Sequence, residues 1–503
     1  MDVVQVYRES LKFYQRKQIP LSPAHKRYLK QARKELVRLF PTAQQQLDLK
    51  PYAGLIRGLF LLDLEPLRPV LTPLYSDKPR GTPPRDPVQM LRACLCMTLS
   101  GETSSFTKWV GQLRTQPLFA VLSGFDARPP GIGTFYDFTA RLWPETTAPQ
   151  TRKPVRRPKD AAAATVKKKT PRTGATARFV KAAQARLEQP LAAFPALRLN
   201  LLLKPVVLRS HELGLLSASA RITLAGDGSK FTTGARAVGR KLCDCRKKGV
   251  FRCDCPRLYT DRFASWGWDS YRERYVYGHA LYELTAASSP HDLPVCLLLA
   301  QAKDHDSLLG VKALERVYKL YPELDFEAFL GDSAHDNYPT YGFCETLGLQ
   351  AFIALNERQT GQYQLPHEFT ANALGTPVCP QGETMQANGF CPDRCRFKWR
   401  CPRAVWGQTP ACACSTSDYG RVFYTKPADD SRLFTQPPRD SPAWREAYRA
   451  RTSVERSHKR KKLDFKLEQA RVRSRRQWAV RLFVMALCQH AAAWVELLQT
   501  TGA

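Results

Sequence analysis

Acidic residues are scarce in this sequence. Its 503 residues include 45 Asp and Glu against 77 Lys and Arg, so the formal net charge is +32. This balance argues against an ordinary metabolic enzyme and indicates a polyanionic partner, with nucleic acid favoured over a membrane surface because no amphipathic anchor is evident. Hydrophobic residues make up 43% of the chain, which is enough for real cores and excludes a disordered polycation.

Long apolar runs are also absent. No stretch of 18 or more uncharged apolar residues occurs, and the N-terminus carries Arg8, Lys12 and Arg16 where a signal peptide would have its apolar core. We therefore expect a soluble, non-secreted protein with no membrane partner. In such a protein the 15 cysteines are expected to be reduced thiols or metal ligands rather than disulfides.

The segment 151–178 contains neither an aromatic residue nor a leucine, but it has ten Lys or Arg. It cannot bury a core, and its composition predicts a flexible basic linker. Before it, residues 20–40 and 88–122 have apolar residues at helical spacing, and 129–142 predicts a turn and a short helix. We predict an all-α N-terminal domain over 1–150 that binds DNA; a helical scaffold without DNA contact is the alternative.

The periodicity changes after the linker. β-Branched and aromatic runs of strand length come first, and helices and strands then alternate, at 221–231, 275–285, 293–302, 307–321, 326–331, 338–347 and 350–355. This order predicts an α/β fold with a mixed sheet flanked by helices. We predict one domain over 179–503, with cysteine-rich insertions at 241–270 and 375–418 and a basic helical C-terminus from 443 to 498.

Three acidic residues stand out by position. Asp227 ends the first predicted strand, Asp332 ends the fourth, and Glu455 lies in the basic helical C-terminus. Carboxylates at strand ends converge on one edge of an α/β sheet, where ligands usually bind. An acid after glycine is also a common turn residue, and a single acid in a basic helix is either an ion-pair partner or a metal ligand among phosphate-binding cations.

The spacing around Glu455 favours the metal ligand. Tyr448, Glu455 and Lys462 are seven residues apart, and seven helical steps return to within roughly 20°, so the three share one stripe with Arg451 beside them. For phosphodiester chemistry, the carboxylate completes a divalent-metal site, the cations hold phosphates and the ring stacks on a base.

Tyr448, Arg451, Glu455 and Lys462 also match every position and every gap of a Tyr-x2-Arg-x3-Glu-x6-Lys signature. With the aspartates in LAGDGSKF and GDSAHDN, the region 221–490 resembles bacterial insertion-sequence transposases of the DDE class. The resemblance implies an RNase H-like catalytic fold, nicking at transposon ends and strand transfer into target DNA. The cysteine content of the insertions departs from the family pattern.

The resemblance also assigns roles to single residues. Asp227, Asp332 and Glu455 map onto catalytic acids that hold two Mg2+ ions, for which Mn2+ can substitute. The residues that we expect to contact DNA are the three cationic or aromatic signature residues and one neighbouring cation: Tyr448, Arg451, Lys462 and Lys459. Nearby polar residues are expected to be turn residues, helix caps or supporting groups, because two-metal transfer needs no protein general base: His305, His335, Asp304, Asp306 and Asp336.

The expected partner is double-stranded DNA, as transposon ends and as target. We predict a homodimer on DNA and a nucleoid-associated place in the bacterial cytoplasm. Two other functions fit less well. A transposase-derived, zinc-stabilised DNA-binding protein that no longer cuts does not need three metal-ligating acids, and an RNase H-like nuclease with another substrate does not need the matching Tyr, Arg and Lys.

Ten of the 15 cysteines form two tight groups. Cys243, Cys245, Cys253 and Cys255 make two C-x-C pairs in a short basic loop, which favours a tetrahedral zinc site over reactive or incidental thiols. In the second group, either four cysteines bind one zinc ion or a larger cluster forms: Cys379, Cys391, Cys395, Cys401, Cys412 and Cys414. Sites closed by four thiolates leave no open position, so both are expected to be structural.

Overall fold

The computed structural model of the chain describes residues 2–75, 83–102, 105–125, 128–145, 151–157, 174–191, 195–356, 363–407 and 413–500. Its helices are α1 (Val3–Arg16), α2 (Pro23–Leu39), α3 (Ala43–Leu47), α4 (Ala53–Leu61), α5 (Arg68–Leu71), α6 (Pro87–Leu99), α7 (Phe106–Thr115), α8 (Pro117–Ser123), α9 (Ile132–Leu142), α10 (Ala175–Gln184), α11 (Pro195–Glu212), α12 (Asp306–Leu320), α13 (Tyr338–Thr346), α14 (Pro402–Val405), α15 (Pro442–Arg449), α16 (Thr452–Leu463) and α17 (Arg475–Thr500). Its strands are β1 (Thr151–Arg152), β2 (Arg221–Thr232), β3 (Arg240–Lys241), β4 (Arg257–Leu258), β5 (Ser265–Asp269), β6 (Arg274–Ala286), β7 (Pro294–Gln301), β8 (Asp325–Gly331), β9 (Gln350–Ile353), β10 (Tyr363–Gln364), β11 (Thr370–Ala371), β12 (Pro377–Val378), β13 (Gln386–Cys391), β14 (Arg396–Arg400) and β15 (Val422–Thr425).

The main sheet is mixed, which confirms the predicted α/β class. It has six strands in the order β5-β6-β2-β8-β9, with β7 also paired to β6. Strand β2 runs antiparallel to β6 and parallel to β8, and β8 runs parallel to β9. Helices α12 and α16 both pack on β2 and β6. Because both faces of the centre are covered, β6 is buried along almost its whole length.

One hydrophobic core joins the N-terminal helices to the sheet. Leu59 of α4, Leu91 of α6, Val207 of α11 and Leu482 of α17 belong to the same buried cluster as the strands β2 and β6. Of the N-terminal helices, α4, α6 and α9 pack on α17, and α1, α2, α7 and α8 pack on one another and on those three. The predicted boundary at residue 150 therefore marks a change in composition, and the core runs across it.

Helix α17 is long and apolar enough, judged by length and composition alone, to cross a membrane. In the structure, 89% of its most apolar window is buried inside the protein. Its neighbours include α4, α6, α9, α11 and β7. A helix that is apolar on all sides and surrounded by protein is a core helix, so its composition follows from its place in the fold.

The predicted C-terminal helix is three helices, and a break at Ala450 and Arg451 separates α15 from α16. The backbone N–H of Arg451 donates to the carbonyl of Tyr448, 3.0 Å away, in the turn. The chain bends here because α15 packs on β9 whereas α16 packs on β2 and β6. The predicted single helix is therefore interrupted between Tyr448 and Glu455, although Ala450 and Arg451 keep right-handed helical backbone angles and Arg451 contacts both residues.

Both insertions have different bounds from those predicted. The first, 241–270, ends in β5, which pairs with β6 and is an edge strand of the main sheet. The second extends beyond 375–418, because its two three-stranded sheets begin at β10 and end at β15. The ends of the predicted linker have regular structure too, since β1 pairs with β4 and α10 begins at Ala175; its residues 158–173 lie outside the described residues.

Candidate active site

Asp227 and Asp332 lie side by side in the middle of the main sheet, where β8 ends; Asp227 lies within β2, whereas the sequence had predicted it at the end of that strand. Gly226 of β2 is paired with Gly331 of β8 in parallel register, and each aspartate follows its glycine. Burial, together with the negative charges of Asp332 and Asp306, raises the pKa of Asp227 to about 7. This crowding of like charges is the situation that a divalent cation relieves.

His335 fixes the orientation of Asp332. It is fully buried between two partners: Nδ1 lies 2.7 Å from Oδ1 of Asp332, and Nε2 lies 2.8 Å from the hydroxyl of Tyr282. Burial acts to raise the pKa of Asp332, but the hydrogen bond and charge of His335 outweigh it and hold that pKa below its usual value. The sequence predicted a turn residue or supporting group here, and the structure gives His335 a supporting contact to one acid.

Asp306 is a further carboxylate near Asp227. It is the first residue of α12, and it lies so close to Gly228 that a Cβ on that glycine would collide with its carboxylate. Its Oδ1 is buried and has no hydrogen-bond partner among the described residues. The cap of α12 is its neighbour His305, whose ring accepts from the N–H of Ser307. This carboxylate lies on the face of β2 opposite the Asp227 side chain, and its charge contributes to the raised pKa of Asp227.

The close packing of these groups explains three glycines that sequence analysis did not interpret. A Cβ on Gly226 would collide with the Tyr282 hydroxyl, and one on Gly310 would press on the ring of His335. Together with Gly228, these positions have to remain glycine for Tyr282, His335 and Asp306 to reach the strand that carries Asp227. The glycines on both sides of Asp227 were therefore the sequence signal that other groups, among them Asp306, pack closely against this strand.

The other predicted neighbours have structural partners. The Asp304 carboxylate accepts from the N–H of Gln301 in the turn after β7, at 2.9 Å. Asp336 is buried and forms a two-pronged ion pair with Arg432, both bonds 2.8 Å long. The carboxylates of these two acids hold loops in place and are not directed toward Asp227.

Glu455 is brought to the same face of the sheet as Asp227, on α16. Its side chain is 48% exposed and accepts a hydrogen bond from Arg451 Nη2 at 2.5 Å. Arg451 also acts on the pair of aspartates, because its charge lowers the pKa of Asp332. Within the described residues, the carboxylates of Asp227, Asp332 and Glu455 do not all lie within 4.8 Å of one another. Arg451 thus interacts with both parts of the site: it is hydrogen-bonded to Glu455, and its charge acts on Asp332.

A buried polar network holds α16 on the sheet. Glu283 of β6 is the strand partner of Asp227, so its side chain points to the same face. It receives Lys461 Nζ at 2.9 Å and the hydroxyl of Ser457, and Lys461 also donates to Gln489 of α17. Lys461 and Glu283 are both fully buried. This network sets the position of Glu455 relative to Asp227.

The basic helix has fewer free cations than its sequence indicates. Lys461 is buried with Glu283, and Arg456 is paired with Asp292 at 2.6 Å. Lys459 is exposed, as a DNA contact has to be. Lys462 is half-buried, and its charge interacts with Asp227. Part of the positive charge of α16 is therefore held in ion pairs within the protein, and part lies near Asp227.

Tyr448 is half-buried beside the site. Its ring stacks on Trp444 with centroids 4.8 Å apart and planes 17° apart. The guanidinium of Arg451 lies 5.7 Å from the centroid of the Tyr448 ring. One face of Tyr448 is thus occupied inside the protein, so the predicted stacking on a base involves its other face or its edge.

The first cysteine group forms a compact cluster. Cys243 and Cys253 have their sulfur atoms 3.6 Å apart, as do Cys245 and Cys255. All four sulfur atoms lie within 4.8 Å of one another. A tetrahedral zinc site with Zn–S bonds of about 2.3 Å places its sulfur atoms about 3.8 Å apart, so this cluster could hold zinc. Hydrogen bonding among these thiols lowers the pKa of Cys253 to about 7 but raises that of Cys245 to about 12, so the distances between the sulfur atoms are what favours zinc.

The second cysteine group is only partly described. Cys379 and Cys401 lie in the apolar core of the insertion with Trp399, whereas Cys395 is exposed. Cys412 lies outside the described residues. Among the described members of this group, no three sulfur atoms lie within 4.8 Å of one another. Zinc binding by Cys379, Cys391, Cys395, Cys401, Cys412 and Cys414 stays a prediction.

Removing one thiolate of the compact cluster should release its zinc. We expect Cys253→Ser to lower the zinc content of the purified chain by one equivalent and to make the loop 241–258 sensitive to protease, because this loop has little apolar core. Metal analysis and limited proteolysis measure both effects. Asp254→Asn, in the same loop, is the control and should keep the metal. Unchanged zinc content in Cys253→Ser would mean that these thiols are not ligands.

The comparisons with known proteins concern the N-terminal helices. Residues 56–141 match the family model described as a transposase domain (DUF772). This match supports a transposase family. No curated protein and no solved structure matches the chain. The transposase domain covers most of α4 and continues through α9, in the part of the chain predicted to bind DNA.

Helix α17 connects the helices that match the transposase domain to α16, the helix that carries Glu455. It packs on α4, α6 and α9 of that domain. From the same helix, Gln489 accepts from Lys461 of α16. The helix that carries Glu455 is therefore anchored both to the sheet and to a helix buried under the transposase domain.

Proposed function

We propose that this protein is a DDE transposase, which cleaves DNA at transposon ends and joins the freed 3′-OH ends to target DNA. The observation that carries the proposal is the placement of Asp227 and Asp332 on adjacent parallel strands, Asp227 within β2 and Asp332 directly after β8, with Glu455 on a helix docked over the same face. We assign the sheet to the RNase H-like fold on this arrangement. The match to a transposase domain supports the substrate class.

Asp227, Asp332 and Glu455 would hold the divalent ions, and Asp306 would support them from the opposite side of β2. When bound, a pair of Mg2+ or Mn2+ ions activates the attacking oxygen and stabilises the leaving oxygen. His335 keeps Asp332 in one orientation and ionised, because it donates to the carboxylate at 2.7 Å. Tyr282 in turn holds His335 through a bond of 2.8 Å.

Arg451 couples DNA binding to the completion of the acidic site. In the free protein its guanidinium is bonded to Glu455. A DNA phosphate offers a guanidinium a bidentate partner at least as good as a half-exposed carboxylate. When Arg451 turns to the phosphate, Glu455 is released and can approach Asp227 and Asp332. This order of events keeps the metal site incomplete until DNA is in place.

Residues of α15 and α16 near the acids are the proposed DNA contacts. Lys459 and Lys462 are placed to hold phosphates of the transposon end, and Tyr448 to contact a base at its free face. The zinc loop is structural. A homodimer on paired DNA ends and a location at the bacterial nucleoid complete the proposal.

The test uses the full chain with DNA that carries the inverted repeats flanking its gene. With Mg2+, we expect nicks that leave 3′-OH groups at the repeat ends, followed by products joined to a target plasmid. Binding of the repeats without any cleavage would favour the DNA-binding protein that no longer cuts. Equal cleavage of unrelated DNA or of a DNA–RNA hybrid would favour a nuclease of the same fold.

His335 gives a test of the support for Asp332. We expect His335→Gln to reduce end cleavage by roughly 10- to 100-fold and to raise the Mg2+ concentration needed for half-maximal rate, because groups that orient metal ligands have effects of this size. DNA binding should not change. His305→Gln, at the cap of α12, is the control and should leave the Mg2+ requirement as it is. A normal Mg2+ requirement in His335→Gln would contradict the assigned role.

A further inference from the structure

A groove of about 650 Å³ opens between α2, α6 and α8 in the N-terminal helices. Arginines are prominent among its lining residues: Arg27, Arg38, Arg68, Arg92 and Arg114. The acids in its walls already have partners. Glu65 and Asp86 both bind Arg68, each at 2.6 Å, and Glu35 binds Arg38 at 2.8 Å.

Arg92 stands apart from the other arginines of the groove. It is 3% exposed, and in the described part of the chain it makes no ion pair and no hydrogen bond. The central carbon of its guanidinium lies over the ring of Tyr28, 3.7 Å from the ring centroid. A Cβ on Gly124, which has φ +83, would lie 3.0 Å from Nη1 of Arg92. Since Tyr28 and Gly124 both line the groove, the guanidinium is part of its wall.

A buried guanidinium that makes no ion pair is costly to the fold. Burial holds the pKa of Arg92 below its usual value, although the charges of Glu65, Asp86 and Asp63 act against this. A ligand with a negative charge in the groove would offset the remaining cost. Contact with the ring of Tyr28 restricts the guanidinium, so less freedom is lost on binding. A phosphate group matches the fork of a guanidinium with two parallel hydrogen bonds. Arg27 and Arg114 at the exposed rim add charge for the approach of a polyanion.

We propose that this groove binds a backbone phosphate of DNA, with the Arg92 guanidinium as its main contact. The inference rests on the proposed function in one respect, namely that DNA is the polyanion this chain binds. Arg68, Arg92 and Arg114 all lie within the residues that match a transposase domain. A phosphodiester has one negative charge, which one unpaired guanidinium balances. A free phosphate compound has the same chemistry and is the competing source.

The decisive experiment replaces single phosphates of the transposon-end DNA by neutral methylphosphonates and measures affinity without metal. For the wild type, we expect one position at which the replacement weakens binding at least tenfold. Arg92→Met should bind natural DNA more weakly by a similar factor and should be insensitive to replacement at that position. Arg316→Met, which removes a buried arginine of α12 outside the groove, is the matched control and should keep the wild-type pattern.

Two results would overturn the proposal. One is an Arg92→Met variant that binds DNA with wild-type affinity and wild-type methylphosphonate sensitivity. The other is a pair of findings: inorganic phosphate raises the melting temperature of the wild type but not of Arg92→Met, and both proteins respond alike to methylphosphonate replacement. Together these findings would assign the groove to a free phosphate compound. If Arg92→Met does not fold, Arg114→Gln should lower the slope of log affinity against log salt by about one, and an unchanged slope would count against the groove. Because no step needs metal, failed cleavage would contradict the transposase proposal and leave this one standing.

Discussion

Glu455→Gln is expected to abolish cleavage of transposon-end DNA while DNA binding persists. Glutamine keeps the size of the side chain but removes the charged oxygen ligand. Loss of several kcal/mol of charge stabilisation at a metal site corresponds to a fall in rate of roughly 10²- to 10⁴-fold. The measurement is single-turnover cleavage of end DNA in Mg2+, beside an affinity measurement for the same DNA without metal.

The structure adds a second expectation for this variant. Glu455 holds Arg451 in the free protein, so loss of its charge frees the guanidinium for phosphate. DNA binding by Glu455→Gln should therefore be as tight as in the wild type or tighter. Asp227→Asn and Asp332→Asn should lose cleavage in the same way.

The control for Glu455→Gln is chosen from the neighbouring helix. Glu446 of α15 is exposed and paired with Arg449, so Glu446→Gln removes the same charge from a similar ion pair away from Asp227. It should cleave at the wild-type rate. A wild-type rate in Glu455→Gln itself would mean that Glu455 is not the third ligand, and the assignment of the DDE class would be wrong.

Lys461→Met is expected to destabilise the protein by about 3–5 kcal/mol, because it leaves Glu283 as an uncompensated buried charge. The free energy of unfolding is measured by urea denaturation. Cleavage should also fall, since α16 positions Glu455. Lys459→Met is the matched control: it removes an exposed lysine of the same helix and should change stability by no more than about 0.5 kcal/mol.

A double variant separates the charge from the packing. Glu283→Leu with Lys461→Met removes both charges and should recover most of the lost stability, because replacing a whole buried pair by apolar groups is often close to neutral. If Lys461→Met unfolds at the same urea concentration as the wild type, the buried pair does not anchor α16. The position of Glu455 would then need another explanation.

Much of the fold could be predicted because strand and helix periodicities are local. The runs at 221–231 and 326–331 are strands β2 and β8 with nearly the predicted bounds. Parallel pairing of these two strands brings Asp227 and Asp332 together, as the rule for strand ends in α/β sheets predicts. Cys243, Cys245, Cys253 and Cys255 cluster for a similar reason, since all four lie within 13 residues of one loop.

Errors arose where distant parts of the chain meet. The helical spacing of Tyr448 and Glu455 is real in the sequence, but α15 and α16 dock on different strands, so the chain bends between them. Arg456 and Lys461 resemble free phosphate-binding cations until Asp292 and Glu283 are found beside them. Their partners lie more than 160 residues away in the chain, and no local pattern reports a contact over that separation.

The sequence alone determined the strongly positive charge, the mixed α/β class, the four-cysteine loop and the placement of Asp227 and Asp332 in or directly after strands, because composition, periodicity and short spacings are properties of neighbouring residues. Only the tertiary structure decided which acids share an environment, that His335 contacts Asp332, that Arg451 is bonded to Glu455, and that Arg92 is buried against Tyr28 without an ion pair. These facts depend on burial and on contacts between residues far apart in the chain. Burial fixes the energetic cost of a charge, and that cost becomes readable only when all of its neighbours are in place.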